Sequence, residues 1–338
     1  MKRIGYTYGI VILKIEVSLL TESSKKRNNG QINIVISNQR STTITKDPPL
    51  QQVTESKEIP PNHRALKEIE EELNALVGME EMKRVIKQIY AWIYVNKKRE
   101  EHGLKAGRQA LHMMFKGNPG TGKTTVARLI GKLFVKMNVL SKGHLIEGER
   151  ADLVGEYIGH TAQKTRDLIK KALGGILFID EAYSLGRGGE KDFGKEAIDT
   201  LVKHMEDKQH EFILILAGYS KEMEEFLFLN PGLHSRFPIV IDFPDYTVSE
   251  LMDITAIMLQ EKQYILSKEA EKKLENHLQY VKSSWSPLSF SNGRYIRNTI
   301  EQSIRAQAMR LLLNDMYDKK ELLTIRSQDL QIDDLGGM

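Results

Sequence analysis

The chain has 338 residues, of which 41% are hydrophobic, 28% charged and 7% aromatic, enough for two domains or for one large domain with an appendage. It contains no cysteine, which excludes a disulfide framework and any thiolate metal or redox site and suits a reducing cytosol; no apolar run reaches the length that spans a bilayer, and the nine histidines show no metal-ligand spacing. The formal charge of +4 belongs to residues 1–60, where nine Lys/Arg face five Asp/Glu, so the remaining 278 residues are neutral and argue against electrostatic binding of nucleic acid.

Lys2-Arg3 followed by an apolar stretch has the outline of a secretory signal, but Lys14 and Glu16 break its core and no small-residue cleavage site follows. Leu13, Ile15 and Val17 alternate with Lys14, Glu16 and Ser18 as a strand does, and Ile32, Ile34 and Ile36 repeat at period two beyond an Asn-Gly step. The two runs read either as a small β-hairpin or as an upstream extension from a misplaced start. Residues 37–62, with Pro48-Pro49 and Pro60-Pro61, read as a linker, so that 1–62 forms a variable extension.

From His63 the pattern turns helical. Leu66, Ile69, Leu73 and Leu76 form one stripe, Val77-Gly78 interrupts it, and Met82, Val85, Ile86, Ile89 and Ile93 resume it. Strands are expected near 111–116, 144–147, 175–180, 212–217 and 238–243, with helices near 124–139, 161–173, 192–206 and 221–228 between them. Strand–helix alternation implies an α/β fold, a doubly wound parallel sheet covered on both faces. After Pro244 helices are expected at 248–262, 267–282 and 292–314, a small all-α domain. The division is therefore 63–245 for the α/β domain, 246–330 for the helical one and 331–338 for a tail.

Gly117-Asn118-Pro119-Gly120-Thr121-Gly122-Lys123-Thr124 fits the phosphate-binding loop at every position, with the apolar run Leu111–Phe115 before it and a helix after it. Glycines let successive backbone N–H groups face one concavity at a helix N-terminus, and Thr125 continues that turn. Lys123 is placed to reach the β- and γ-phosphates of a nucleoside triphosphate, and the Thr124 hydroxyl to hold Mg²⁺. Ile176–Glu181 reads as a buried strand whose two acids emerge at the carboxyl edge, where doubly wound sheets bind ligands. Asp180 is expected to coordinate Mg²⁺, directly or through water, and Glu181 to orient and deprotonate the attacking water. No Asn-Lys-x-Asp base-reading motif is present, which favours ATP over GTP.

With these motifs the chain resembles the AAA+ ATPases. Gly155–Thr161, Asn230–Phe237 and Phe290–Arg294 narrow the resemblance to the family of CbbX, the red-type rubisco activase, and stage V sporulation protein K, with the sporulation member the nearer. The likeness covers about residues 63–330. It implies a P-loop core with a helical lid, ATP and Mg²⁺ as cofactors, and a cytoplasmic homo-oligomer, a hexamer by family habit, that remodels a protein client. It further implies that Arg236 is an arginine finger reaching the neighbour's γ-phosphate, a task suited to a permanently charged guanidinium. Arg294 corresponds to the second sensor of the lid, and its charge at a helix N-terminus opposes the macrodipole. Tyr157-Ile158-Gly159 resembles the pore loop that grips a client, and Leu76-Val77-Gly78-Met79 the segment that packs on adenine, with apolar contact from Val77 and a backbone approach allowed by Gly78. At the first sensor the chain departs from the commonest pattern: Gly218, Tyr219 and Ser220 stand where Asn, Ser or Thr is frequent, leaving the Tyr219 hydroxyl as the candidate.

Three functions follow from different premises: a client-remodelling ring in sporulation, a rubisco-activase-like remodeller of a metabolic enzyme, and a DNA-linked motor or switch. The neutral main body and the short stretch after the last helix disfavour the third.

Overall fold

The computed structural model describes residues 4–8, 11–15, 64–107, 109–157, 159–187, 192–228, 231–284 and 290–332. The chain divides into two units, Met1–Lys57 and Glu58–Met338.

In the first unit, β1 (Ile4–Tyr8) pairs antiparallel with β2 (Val11–Ile15), Tyr8 opposite Val11. The run with Leu13 and Ile15 is a strand, as its alternation indicates, but its partner is the segment just upstream. Two residues separate the strands, the shortest connection an antiparallel pair commonly uses. Val17, Ile32, Ile34 and Ile36 and the proline pairs lie outside the described residues.

The second unit begins with α1 (Arg64–Asn74) and α2 (Glu80–Glu101), separated where Gly78 and Met79 both take positive φ. Then come β3 (Met113–Gly117), α3 (Lys123–Lys136), β4 (Leu145–Gly148), α4 (Arg150–Leu153), α5 (His160–Ala172), β5 (Ile176–Ile179), a 3-10 turn at Ala182–Gly186, α6 (Gly194–Asp207), β6 (Ile213–Gly218), α7 (Ser220–Phe228), α8 (Pro231–Arg236) and β7 (Ile239–Phe243). The five strands are all parallel, in the order β4-β5-β6-β3-β7. The central strands are buried on both faces, and successive side chains feed two cores. Met113, Phe115, Ile176, Phe178, Ile213 and Ile215 meet α1, α2 and α3 on one face. Met114, Leu177, Ile179, Leu214 and Leu216 meet α5, α6 and α7 on the other.

β3 starts two residues later than the apolar run Leu111–Phe115, because His112 replaces a backbone rung with its side chain. Its Nδ1 accepts the Leu214 N–H at 3.0 Å while its Nε2 lies 3.4 Å from the Met205 carbonyl. The Nδ1 contact requires the neutral ring, and burial pushes the His112 pKa down to about 4.

Beyond β7 come α9 (Val248–Glu261), β8 (Ile265–Leu266), α10 (Lys268–Ser284), α11 (Gly293–Asn314), α12 (Lys319–Leu323) and β9 (Thr324–Ile325). α9 opens with a reciprocal cap between Thr247 and Glu250. Helices dominate this region, but β8 and β9 form a two-residue parallel pair that short polar-flanked runs do not announce. A third core, centred on Leu251, Leu274, Leu278, Ile296 and Ile300, holds the helices together.

Candidate active site

The carboxyl ends of β3, β5 and β6 open onto a cavity of about 540 Å³ closed on one side by α9 and α11. The loop Gly117–Gly122 forms its floor. Gly120 (φ +72°) and Gly122 (φ +91°) lie in the left-handed region, and a Cβ on Gly120 would stand 2.1 Å from the Ser291 carbonyl. Gly122 precedes α3, whose first intrahelical bond runs from Val126 N–H to the Gly122 carbonyl at 2.9 Å. The amides of Lys123, Thr124 and Thr125 therefore have no partner within the helix, and no acidic side chain occupies its first turn.

Lys123 folds back over the loop, donating to the Gly117 carbonyl at 2.8 Å and the Asn118 carbonyl at 2.7 Å. Burial brings its pKa down to about 8; Asp180 and Asp245 oppose that shift and Arg294 reinforces it. Thr121 is buried, its hydroxyl donating to the Asn118 carbonyl at 2.8 Å. Gly117, Pro119, Gly120, Gly122, Lys123, Thr124 and Thr125 line the cavity, whereas Asn118 and Thr121 brace the loop from behind.

Across from the loop, β5 ends at Ile179 and the two acids follow. Asp180 accepts the Glu181 N–H on Oδ1 at 3.0 Å, and Glu181 sits at φ +47°. That is the left-handed region, which costs a residue with a Cβ roughly 1–2 kcal/mol. Both acids line the cavity with Tyr219, whose ring centroid lies 6.0 Å from that of Tyr183. Burial, with Glu181 next, raises the Tyr183 pKa to about 12, and the Arg187 guanidinium covers its ring at 4.6 Å. Arg294, second residue of α11, reaches the same cavity from the lid.

Two family models match this chain. The ATPase family associated with various cellular activities (AAA) covers residues 113–245, and the AAA lid domain covers 247–336. Stage V sporulation protein K of Bacillus subtilis (strain 168) is 70% identical over 314 residues, 93% of this chain and 98% of that protein. The chain belongs to the AAA ATPase family. A CfxQ homolog of Galdieria sulphuraria is 40% identical over 93% of this chain and 97% of that protein. The chloroplastic ribulose bisphosphate carboxylase/oxygenase activase of Cyanidioschyzon merolae is 43% identical over 75% of this chain and 87% of that protein.

An AAA ATPase binds and hydrolyses ATP, and the cavity of this one suits the group. Its lysine is desolvated by burial that Asp180 and Asp245 offset only in part, its helix presents amides with no partner inside the helix, and its loop turns on glycines at positive φ. The wall away from the loop is apolar, built from Leu76, Val77, Met79, Ile254 and Met258. Gly78 does not line it: a Cβ there would stand 2.2 Å from Glu250 Oε1, so the glycine makes room for the lid.

Arg236 does not line the cavity. It closes α8 and pairs with Glu206 of its own chain, with a second bond to the Gly232 carbonyl at 2.7 Å. Tyr157 is 66% exposed, its ring set edge-on to His160 at 5.5 Å, and Gly159 at φ +82° has open space around it. Ile158 lies outside the described residues. The loop is anchored below by the Gly155 N–H, which donates to the buried Thr161 hydroxyl at 2.9 Å.

Tyr246, Ile254, Met258 and Arg297 also line the cavity, and sequence patterns do not single them out. The lid residues carry no motif, being ordinary members of helical stripes. Tyr246 has one usable signal, its place just past the last strand at the carboxyl edge of the sheet.

Proposed function

We propose that this AAA ATPase is a ring-forming, cytosolic remodeller of a protein client that acts in sporulation. The observation that carries the reading is the division of its charged groups. Lys123, Thr124, Asp180, Glu181 and Arg294 converge on one cavity, while Arg236 lies outside it. The finger arginine is the group this chain's own cavity does not contain, and a neighbouring copy supplies it, with Arg236 reaching the γ-phosphate there. The 70% identity to a protein named for sporulation supports the biological setting, and the absence of cysteine suits the cytosol.

Residues 63–245 act as the nucleotide-binding domain and 246–330 as its lid. ATP with Mg²⁺ supplies a transferable γ-phosphoryl group and the charge that holds the site together. The loop amides and Lys123 bind the β- and γ-phosphates. Thr124 and Asp180 hold the metal; among the described residues no group of three or more acidic or histidine side chains does so alone. Glu181 takes the proton of the attacking water, Tyr219 orients that water, and Arg294 holds the lid against the phosphates. Val77 packs on adenine, Gly78 shaping that segment, and Tyr157-Ile158-Gly159 grips the client.

A second reading, remodelling of a metabolic enzyme, has in its favour the 43% identical relative named as a rubisco activase. A DNA-linked switch has only the shared ATPase chemistry. ATPase assays of the purified chain with DNA, with rubisco and with extract of sporulating cells separate the three. Stimulation by the extract alone is expected, and stimulation by DNA alone overturns the client reading.

A further inference from the structure

Four consecutive residues of the phosphate loop are each held by the lid or by the hinge that leads to it. Asn118 Nδ2 donates to both carboxylate oxygens of Asp245, at 3.0 Å each. Asn292 Nδ2 donates to Asp245 Oδ1 at 2.7 Å and reaches the Pro119 carbonyl at 3.4 Å. The Gly293 N–H donates to the Gly120 carbonyl at 3.0 Å, and Tyr246 Oη to the Thr121 carbonyl at 3.1 Å. Asn292 Oδ1 closes the circuit by accepting the Tyr246 N–H at 3.1 Å.

Two features mark this circuit as more than packing. A carboxylate beside an anion site opposes the anion, so Asp245 needs another purpose, and its geometry shows one: it joins an amide of the loop to an amide of the lid. Asn292 is fully buried at φ +46°, ψ −122°, a backbone region that a residue with a Cβ strains to occupy. The peptide plane explains what the circuit does. In a trans peptide the carbonyl and the following N–H point in opposite directions. Holding the carbonyls of Pro119, Gly120 and Thr121 from the lid side therefore aims the N–H groups of Gly120, Thr121 and Gly122 the other way.

We propose that Asp245 and Asn292 are positioning residues that latch the lid to the phosphate loop, so that phosphate binding at the loop reaches α11 through hydrogen bonds and not through Arg294 alone. The proposal rests on the reading that the loop holds nucleotide phosphates. A rotation of α11 against the sheet has to break these bonds or turn the loop's peptide planes with it.

The test uses the full chain, Mg²⁺ and a slowly hydrolysed thiophosphate analogue of ATP. It measures analogue affinity, melting temperature and hydrogen exchange of amides 293–297. In the unaltered protein the analogue is expected to slow exchange at these amides at least tenfold, and Arg294→Ala should keep part of that slowing. Asn292→Gly accepts the backbone angles and removes only the side chain. Asn292→Asp keeps the shape and sets a carboxylate against Asp245. Both should still bind the analogue, weakened less than tenfold, and lose the slowing. Combining Asp245→Asn with Asn292→Asp exchanges donor and acceptor and should restore at least half of it, a rescue that a merely structural role does not require. Full slowing in Asn292→Gly, loss of all slowing in Arg294→Ala alone, or a folded double variant without rescue overturns the latch. If the unaltered chain binds no analogue, the nucleotide-site reading falls, and the latch with it.

Discussion

Lys123 carries its ammonium into a poorly hydrated part of the site, and burial brings its pKa down to about 8. The folded value lies below the unfolded one, so stability without nucleotide rises with pH between about 8 and 10.5, where only the unfolded chain keeps that proton. Nucleotide binding has the opposite slope, because the phosphates need the charged form. Affinity for ATP is expected to weaken as pH climbs above about 8, with proton uptake on binding; Lys123→Arg should flatten that slope, since guanidinium does not titrate there. Calorimetry in buffers of different ionisation enthalpy measures the proton uptake directly. Lys123→Ala should abolish binding. Glu181→Gln should keep it and lower turnover by about two to four powers of ten, since only proton abstraction is removed. Normal turnover in Glu181→Gln would remove Glu181 from the chemistry.

At the scale of elements, His112 joins β3 to β6 and approaches α6 through one neutral ring. Its pKa is depressed from 6.5 to about 4, so its contribution is complete above pH 6.5 and is lost as pH falls from 6.5 toward 4, where the unfolded chain takes the proton first. The loss amounts to roughly 3 kcal/mol at most. His112→Phe should lower the melting temperature at pH 7 and make it less sensitive to acid. The Tyr157 loop is an element of the opposite kind, its ring exposed and its base anchored by the Gly155 N–H on the Thr161 hydroxyl. Tyr157→Ala should leave basal ATPase activity and melting temperature unchanged and weaken the grip on a client by roughly 1.5–3 kcal/mol per engaged subunit. Tyr157→Phe should be tolerated. Parallel loss of stability and ATPase activity in Tyr157→Ala would make the residue an internal anchor.

At the scale of the whole molecule, Arg236 sits away from its own cavity and is paired with its own Glu206. On the proposed reading, a ring lets it exchange that carboxylate for a neighbour's phosphates. Arg236→Ala is therefore expected to bind ATP normally and to hydrolyse it slowly, by about three to five powers of ten if the arginine acts as such fingers generally do. Mixing Arg236→Ala with Lys123→Ala subunits should recover activity, because some interfaces then combine an intact loop with an intact finger. No recovery in rings shown to be mixed would count against action between subunits.

Local order was legible along most of the chain. Ile176–Ile179 read as a central strand, since four successive large apolar residues fit burial on both faces, and the glycine pattern of 117–122 pointed to a tight anion-binding turn. Helix and strand periodicity thus determined the parallel sheet and its helical lid. Short elements escaped: β8 and β9 have two residues each, too few to show a period. The hairpin partner of β2 was decided by connection length, which alternation alone does not encode. Only the tertiary structure set Gly78 against Glu250, gave His112 a backbone's work, and brought Asp245 and Asn292, 47 residues apart, onto the phosphate loop. Each of these depends on distances between elements that no single element's sequence carries. A local pattern says which face is buried, and packing alone says against what.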